Sequence, residues 1–393
     1  MVTHVRTFGL SGITGFSVDA EINIAKGLPD FDIIGMGNMA VREAAGRIRA
    51  ALENSGYPFP LGRVTVNLAP AGIRKEGACY DLAIAVGILL CGSCAGVRTD
   101  AFAFVGELSL DGFLRPVRGV LPMMQEAARR GIANCIVPLE NADEAALTDA
   151  CRIYPAASLP EVLQILTSKR TAWPIPEEPA PSRSGCGDYR EVKGQAHAVR
   201  AAEIAAAGGH NVLFIGAPGC GKSMIAGRLP GILPNLTREE ALETAPVYSA
   251  LGMLRKESLL PNEVPFRTAY PDITKSGLIG GGSRPVPGEI SLAHKGVLFL
   301  DELAEFDRRT LEILRQPLED GRVTISRASG TVVYPASIML IAAMNPCPCG
   351  YYGHPSGKCR CSHKQVANYL SKISGPMLDR FDLHIEVAPV EFS

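Results

Sequence analysis

Eight consecutive residues, Gly216, Ala217, Pro218, Gly219, Cys220, Gly221, Lys222 and Ser223, carry the spacing G-x-x-x-x-G-K-[ST] of a phosphate-binding loop. Glycines there let the backbone approach phosphate oxygens, and N–H groups of the loop and the next helical turn converge on one anion. Lys222 offers a point charge for the β- and γ-phosphates, and the Ser223 hydroxyl is a ligand for Mg2+. The flanks matter as much as the string. Asn211–Ile215 is an apolar run that reads as a strand, and Met224–Leu229 reads as a helix. A chance Gly-rich turn is the alternative, and it does not call for this strand-to-helix setting. The expected ligand is a nucleotide.

Further along, Gly296-Val-Leu-Phe-Leu-Asp301-Glu302 is an apolar strand tipped by two acids. A buried parallel strand reads this way, with its carboxyl end facing the ligand. Asp301 is expected to hold Mg2+ through water, and Glu302 to orient and polarise the attacking water. A simple helix start is the other reading of Asp-Glu after an apolar run. The run Ser337–Met344 forms a third strand ending at Asn345, a polar tip for the γ-phosphate or its water. Cys347, Cys349, Cys359 and Cys361 fall within 15 residues. Such a group in a reducing compartment suits tetrahedral thiolate binding of Zn2+, although C-x-C is tighter than the commoner C-x-x-C. His354 and His363 stand nearby as substitutes, and four free thiols are the alternative.

Positioning these groups requires at least one open α/β sheet, and the 393-residue length allows a second domain. Residues 1–167 alternate strands and helices. Val2–Leu10 and Phe16–Ala25 read as a hairpin, Asn38 caps a helix to about Asn54, and Arg63–Leu68 is a strand. Tyr80–Cys91 is a buried helix, and Phe102–Leu110 with Phe113–Val117 is a second hairpin. Val120–Arg130 and Leu159–Thr167 are helices around the strand Asn134–Pro138. Residues 168–189 contain a Pro-rich tract that is expected to stay extended as a linker. Residues 190–393 then form the nucleotide-binding domain, with a helix at Ala196–Ala207 and a capping box at Thr237–Glu240. Its Gly277–Glu289 stretch reads as a functional loop, and 347–361 as a Cys-rich insert.

Hydrophobic residues make up 47% and charged residues 20% of the chain, with net charge −1, so no global basic character marks it as a nucleic-acid binder. The apolar run Leu82–Cys91 is half the length a bilayer needs, and Met1–Arg6 lacks an apolar signal core. The expected location is cytoplasmic, with no membrane partner. Eleven cysteines are too sparse for a disulfide scaffold in a chain this long.

Taken together, the second half resembles the ComM/YifB family of Mg-chelatase-like AAA+ ATPases. The strings that carry the resemblance are Leu278–Ser283, Pro287–His294, Gly296–Phe306, Arg315–Gly321, Val323–Arg327, Asn345–Gly350 and Leu378–Leu383. The resemblance implies ATP and Mg2+ as cofactors and a homo-oligomeric ring, usually a hexamer. It implies a DNA-remodelling motor, a branch-migrating helicase of homologous recombination and natural transformation. Val323–Tyr334 would be a hairpin turning near Ser329-Gly330, with Arg322 and Arg327 able to touch DNA phosphates; a solvated hairpin edge is the alternative. Arg284 in the 278–284 loop is a second candidate for DNA contact. Arg380 matches the position of an arginine finger supplied to the neighbouring subunit, the alternative being a surface pair with Asp379 or Asp382.

The first domain resembles the Lon-protease-like domain that this family carries, through Ile73–Leu82 and Phe104–Leu110. Cys79 stands at the position of the serine nucleophile. Leu121 stands near that of the activating lysine, and leucine cannot take a proton, so a non-proteolytic scaffold is expected. A Cys79 nucleophile with His4 as base lacks a positioned third group. The resemblance also implies a helical lid after Leu383–Val390. The sequence ends at Ser393, so the lid is expected to be absent and turnover by this polypeptide alone is open to question. Two other functions compete with the DNA motor: the ATPase subunit of a chelatase inserting Mg2+ into a porphyrin, and a nucleotide-dependent interaction module without turnover.

Overall fold

The computed structural model describes residues 2–92, 94, 96–167, 171–176, 187–254, 259–260, 263–282, 285–327 and 330–389. The chain divides into two compact units: Met1–Glu178 with Tyr248–Leu260, and Pro179–Val247 with Pro261–Ser393. Arg284, Ser329, most of the Pro-rich tract and the end of the Leu383–Val390 run lie outside the described residues.

The first unit is built on a seven-stranded mixed sheet. Its strands, in spatial order, are Asp30–Ile34, Arg63–Ala69, Thr14–Ala25, Val2–Ser11, Phe102–Phe104, Asn134–Pro138 and Arg152–Ala156. Val2–Ser11 and Thr14–Ala25 form the expected antiparallel hairpin, with Val5 opposite Ala20 and Thr7 opposite Val18. Against them lies helix Asp81–Cys91, whose residues Asp81–Leu90 are all buried. Beyond Asp81 the helix is apolar all round and has no solvent face to offer, so it fills the core beside the sheet. Helix Met39–Asn54 is amphipathic instead. Val41, Ala44, Ile48 and Leu52 face inward, and the Asn38 side chain accepts the Val41 N–H at 3.1 Å. Such a cap is worth about 1 kcal/mol.

Three expectations need correction here. The Phe102–Leu110 strand stops at Phe104, because the Gly106 peptide turns away: its N–H donates to Cys79 and its carbonyl accepts from Leu82. Only Glu107–Leu108 and Leu114–Arg115 pair as the hairpin. The Pro-rich tract is not free at residues 171–176. Trp173 donates its N–H to the Ile153 carbonyl at 2.7 Å and its indole N–H to Asp143 at 2.8 Å. Finally, Tyr248–Leu260 belongs to the first unit, where Ser249 donates to Glu144 at 2.6 Å and accepts from the Gly119 N–H.

The second unit holds a five-stranded, all-parallel sheet in the order Phe266–Ala269, Val297–Leu300, Met339–Met344, Val212–Gly216, Leu383–Val387. Every residue of Val297–Leu300 and Met339–Met344 is buried, which is why these strands read as unbroken apolar runs. Phe214, Phe299 and Ile341 fill the core with Ile225 of the helix Lys222–Gly227. Val212–Gly216, earliest of the five in the chain, is flanked by the two latest: the chain leaves it for the far edge, works back to Met339–Met344, then passes it to Leu383–Val387. Ligands of open α/β sheets bind at such a switch point, beyond the carboxyl ends of the strands. This is a P-loop NTPase-like fold.

Gly277–Glu289 is also more ordered than expected. Helix Lys275–Ile279 leads to an antiparallel pair, Gly280–Gly281 with Val286–Pro287, and then to helix Glu289–Leu292. Arg322–Arg327 and Gly330–Pro335 form the expected hairpin. Its Tyr334 hydroxyl donates to the Pro285 carbonyl at 2.6 Å, so the two segments singled out for DNA contact lie side by side. No described helix is long and apolar enough to cross a membrane.

Candidate active site

Three strand ends meet at the switch point. From the first comes the loop Gly216–Ser223, whose Gly221 takes φ 94° to open helix Lys222–Gly227, a conformation that a side chain would strain. Lys222 folds over the loop. Its ammonium donates to the Gly216 carbonyl at 2.8 Å, the Ala217 carbonyl at 3.0 Å and Asn345 Oδ1 at 3.2 Å. Asn345 follows the second strand directly, so this contact ties the polar tip to the loop. Burial holds the Lys222 pKa below its ordinary value. A cation lacking full hydration is a strong partner for a phosphate anion.

The third strand ends in Asp301 and Glu302. Asp301 Oδ2 accepts the Ser223 hydroxyl at 2.8 Å, and Oδ1 accepts the Glu302 N–H at 2.9 Å. Glu302 is in the left-handed region, φ 54° and ψ 45°, and its side chain is exposed. A non-glycine residue there costs on the order of 1 kcal/mol. The buried Leu303 and Ala304 that follow hold the turn. The donor set fits Mg2+: a hydroxyl and a carboxylate already in contact are hard oxygen ligands of the type that cation takes.

Residues missed in the sequence brace this loop from behind. Gln195 donates through its amide nitrogen to the Cys220 carbonyl at 3.1 Å and the Ala388 carbonyl at 2.6 Å. Tyr189 donates to the Ile225 carbonyl at 2.7 Å, and Arg228 reaches Glu191 at 2.7 Å. The only advance signal was a polar residue just before helix Ala196–Gly208. Arg267, of unassigned role, makes a two-pronged contact with Glu289 at 2.6 and 2.9 Å.

Arg380 is not brought to this chain's own phosphate loop. Its carbonyl accepts from Asn211, at the amino end of strand Val212–Gly216, roughly 16 Å of strand away from the loop. Its guanidinium pairs with Glu319, not with Asp379 or Asp382 as the surface-pair alternative had it. Asp382 instead accepts the Asn211 N–H at 2.8 Å. A cavity of about 300 Å³ lined by Leu233, Pro234, Lys295 and Ser337 opens at that same amino edge and is separate from the phosphate loop.

The four cysteines come together, with all sulfurs within 4.8 Å of one another. Three measured separations, Cys347–Cys349 at 3.3 Å, Cys349–Cys359 at 3.7 Å and Cys347–Cys359 at 3.9 Å, bracket a tetrahedral edge. Zinc–sulfur bonds of about 2.3 Å require edges of about 3.8 Å. Backbone N–H groups of Tyr351 and Arg360 point at Cys349 and pull its thiol down to about 6. His354 is turned elsewhere, accepting the Ser356 N–H.

In the first unit, Cys79 is buried, and burial pushes its thiol up to about 12. His4 is exposed on its strand, and Leu121 is fully buried.

Residues 188–393 match the family described as magnesium chelatase, subunit ChlI, and residues 20–141 match the one described as subunit ChlI of Mg-chelatase. The chain is 44% identical to the YifB protein of Salmonella typhimurium over 385 residues, 98% of this chain and 75% of that protein. It is 45% identical to competence protein ComM of Haemophilus influenzae over 388 residues, 96% of this chain and 74% of the relative. Magnesium-chelatase subunit ChlI of Bigelowiella natans is 25% identical over 202 residues, 46% of this chain and 49% of its own.

Proposed function

The chain belongs to the ComM/YifB family of Mg-chelatase-like ATPases, and from that premise we propose that it is an ATP-driven motor that remodels DNA. It works as a homo-oligomeric ring, a hexamer, driving branch migration in homologous recombination and natural transformation, in the cytoplasm. The observation that carries the reading is the meeting of Lys222, Ser223, Asp301 and Asn345 at adjoining strand ends. Similarity along almost the whole chain to a competence protein supports the DNA role. So does the hairpin Arg322–Arg327, whose terminal arginines are exposed.

In this reading the loop N–H groups of Gly216–Ser223 bind the phosphates of ATP, and Lys222 neutralises the transferring group. Ser223 and Asp301 would hold Mg2+, which supplies positive charge against the developing negative charge. Glu302 polarises the attacking water, and Asn345 orients it or the γ-phosphate. Arg380 serves the neighbouring subunit's nucleotide. The cysteine cluster binds Zn2+ as a structural site. Residues 1–167 are a Lon-protease-like scaffold without peptidase activity; peptide cleavage abolished by Cys79→Ala would overturn that assignment.

The family descriptions favour a second reading, the ATPase subunit of a magnesium chelatase. That likeness reaches 46% of the chain in the ChlI relative, against 98% for YifB. The deciding experiment measures ATP hydrolysis with and without single-stranded and branched DNA, for wild type, Lys222→Ala and Glu302→Gln. DNA-stimulated turnover that both substitutions abolish supports the motor. Turnover indifferent to DNA supports the chelatase, and nucleotide binding without turnover leaves an interaction module.

A further inference from the structure

The cysteine cluster is joined to the nucleotide site by three separate covalent or packed links. Cys347 lies two residues beyond Asn345, the tip that holds Lys222. The turn that follows, closed by the Gly350 N–H on the Cys347 carbonyl, rests on the phosphate loop itself. A Cβ on Gly350 would sit 2.5 Å from Pro218 Cδ, and the residue takes φ 83°, so glycine alone allows this approach. On the far side of the cluster, Ser362 follows Cys361 and opens helix His363–Leu370 through a reciprocal capping box with Gln365. Tyr369 of that helix is buried, and Lys372, which lies over its ring at 5.4 Å, meets Glu305 at 3.4 Å. The Glu305 N–H in turn donates to the carbonyl of Glu302 at 2.8 Å.

We propose that the metal-loaded cluster is a clamp on the nucleotide site: by tying Cys347 and Cys349 to Cys359 and Cys361, it holds Pro218 and Asn345 on one arm and the Glu302 turn on the other. The clamp rests on the zinc reading above, and it goes beyond a folding role because both arms end on groups that face the phosphates. Without the metal, the loop between Cys349 and Cys359 is free to open, and both the Gly350 turn and helix His363–Leu370 lose their common anchor. Binding at two such sites is reciprocal: whatever zinc does for nucleotide affinity, nucleotide must do for zinc affinity.

The test uses the full chain, reduced, in excess Mg2+. Metal analysis first reads zinc per chain. Zinc affinity is then measured by competition with a chelator, with and without saturating ADP, and ADP affinity by a fluorescent ADP analogue before and after zinc removal. The expected result is one zinc per chain and a shift of about tenfold in each affinity. Gly350→Val, which leaves all four thiols in place, should keep its zinc and weaken the ADP analogue by a similar factor. One zinc per chain with both affinities unmoved overturns the clamp and leaves the zinc site standing. Absence of stoichiometric zinc removes the zinc reading, and the clamp with it. Should stripping zinc unfold the second unit, the chelator competition on loaded protein still decides, since an ADP-independent zinc affinity overturns the clamp.

Discussion

Ser223 Oγ donates to Asp301 Oδ2 across 2.8 Å, linking the phosphate loop to a strand tip 78 residues further along the chain. A hydroxyl and a carboxylate pre-set at contact distance need no rearrangement to share one divalent cation. Asp301→Ala should therefore bind ATP in EDTA as wild type does, while losing the tightening that Mg2+ brings. Turnover should fall about a hundredfold, the loss expected when some 3 kcal/mol of charge stabilisation disappears. Titration of a fluorescent ATP analogue with and without Mg2+ checks this; an unchanged Mg2+ dependence removes Asp301 from the site.

Arg380 and the phosphate loop lie at opposite ends of one strand, so within a chain the guanidinium cannot serve its own nucleotide. Arg380→Ala should retain ATP binding and lose about a thousandfold in turnover. Mixing Arg380→Ala with Lys222→Ala should give more turnover than either variant alone, because a Lys222→Ala chain still lends its arginine to a neighbour with an intact phosphate loop. A mixture with no such gain would contradict a role in trans.

Gln195 holds two carbonyls that nothing else described is shown to satisfy, those of Cys220 and Ala388. Gln195→Leu leaves the carbonyl of the buried Cys220 without its donor, at a cost of about 1–3 kcal/mol. The expected result is a lower melting temperature together with weaker nucleotide binding, read by calorimetry and by analogue titration. Lost stability with unaltered affinity would confine Gln195 to folding.

Asp81 is 1% exposed and pairs with Arg47 at 3.0 Å. Burial and the arginine oppose each other there, and burial prevails, lifting the carboxyl from 3.8 to about 7. The folded chain thus keeps a proton that the unfolded chain releases between those values. Its stabilising contribution is full below about pH 4 and is lost as pH rises through about 7. Arg47→Ala removes the counter-charge, and should cost about 3 kcal/mol at pH 8 and much less at pH 5. Hydrogen exchange of the amides in helix Asp81–Cys91, corrected for intrinsic rates, measures both. An equal cost at the two pH values would show that Asp81 keeps one charge state throughout and does not titrate between them.

The phosphate loop, the acid-tipped strand and the cysteine group were legible because each is contiguous or confined to a short window. Strands such as Val297–Leu300 announce themselves by being buried on both faces. Edge strands do not: Asp30–Ile34 has no fully buried residue, and its alternation is too weak to read. Long-range partners were equally hidden. Nothing local points Gln195 at Ala388, 193 positions away, or Arg380 at Glu319. Gly277–Glu289 read as loop because its short paired strands, Gly280–Gly281 and Val286–Pro287, consist of turn-forming residues or adjoin them, and distant contacts such as Tyr334 to the Pro285 carbonyl and Arg267 to Glu289 help to give the segment its shape.

Trp173 is the chain's sole tryptophan, and it is pinned by two hydrogen bonds to Ile153 and Asp143 in the first unit. Nature has thereby placed the molecule's one tryptophan gauge in a single half, with only tyrosines in the other. Intrinsic emission will track the melting of residues around Ile153 without any label. Any change in that emission on adding ATP would be a direct optical sign that events at the phosphate loop are felt in the other half.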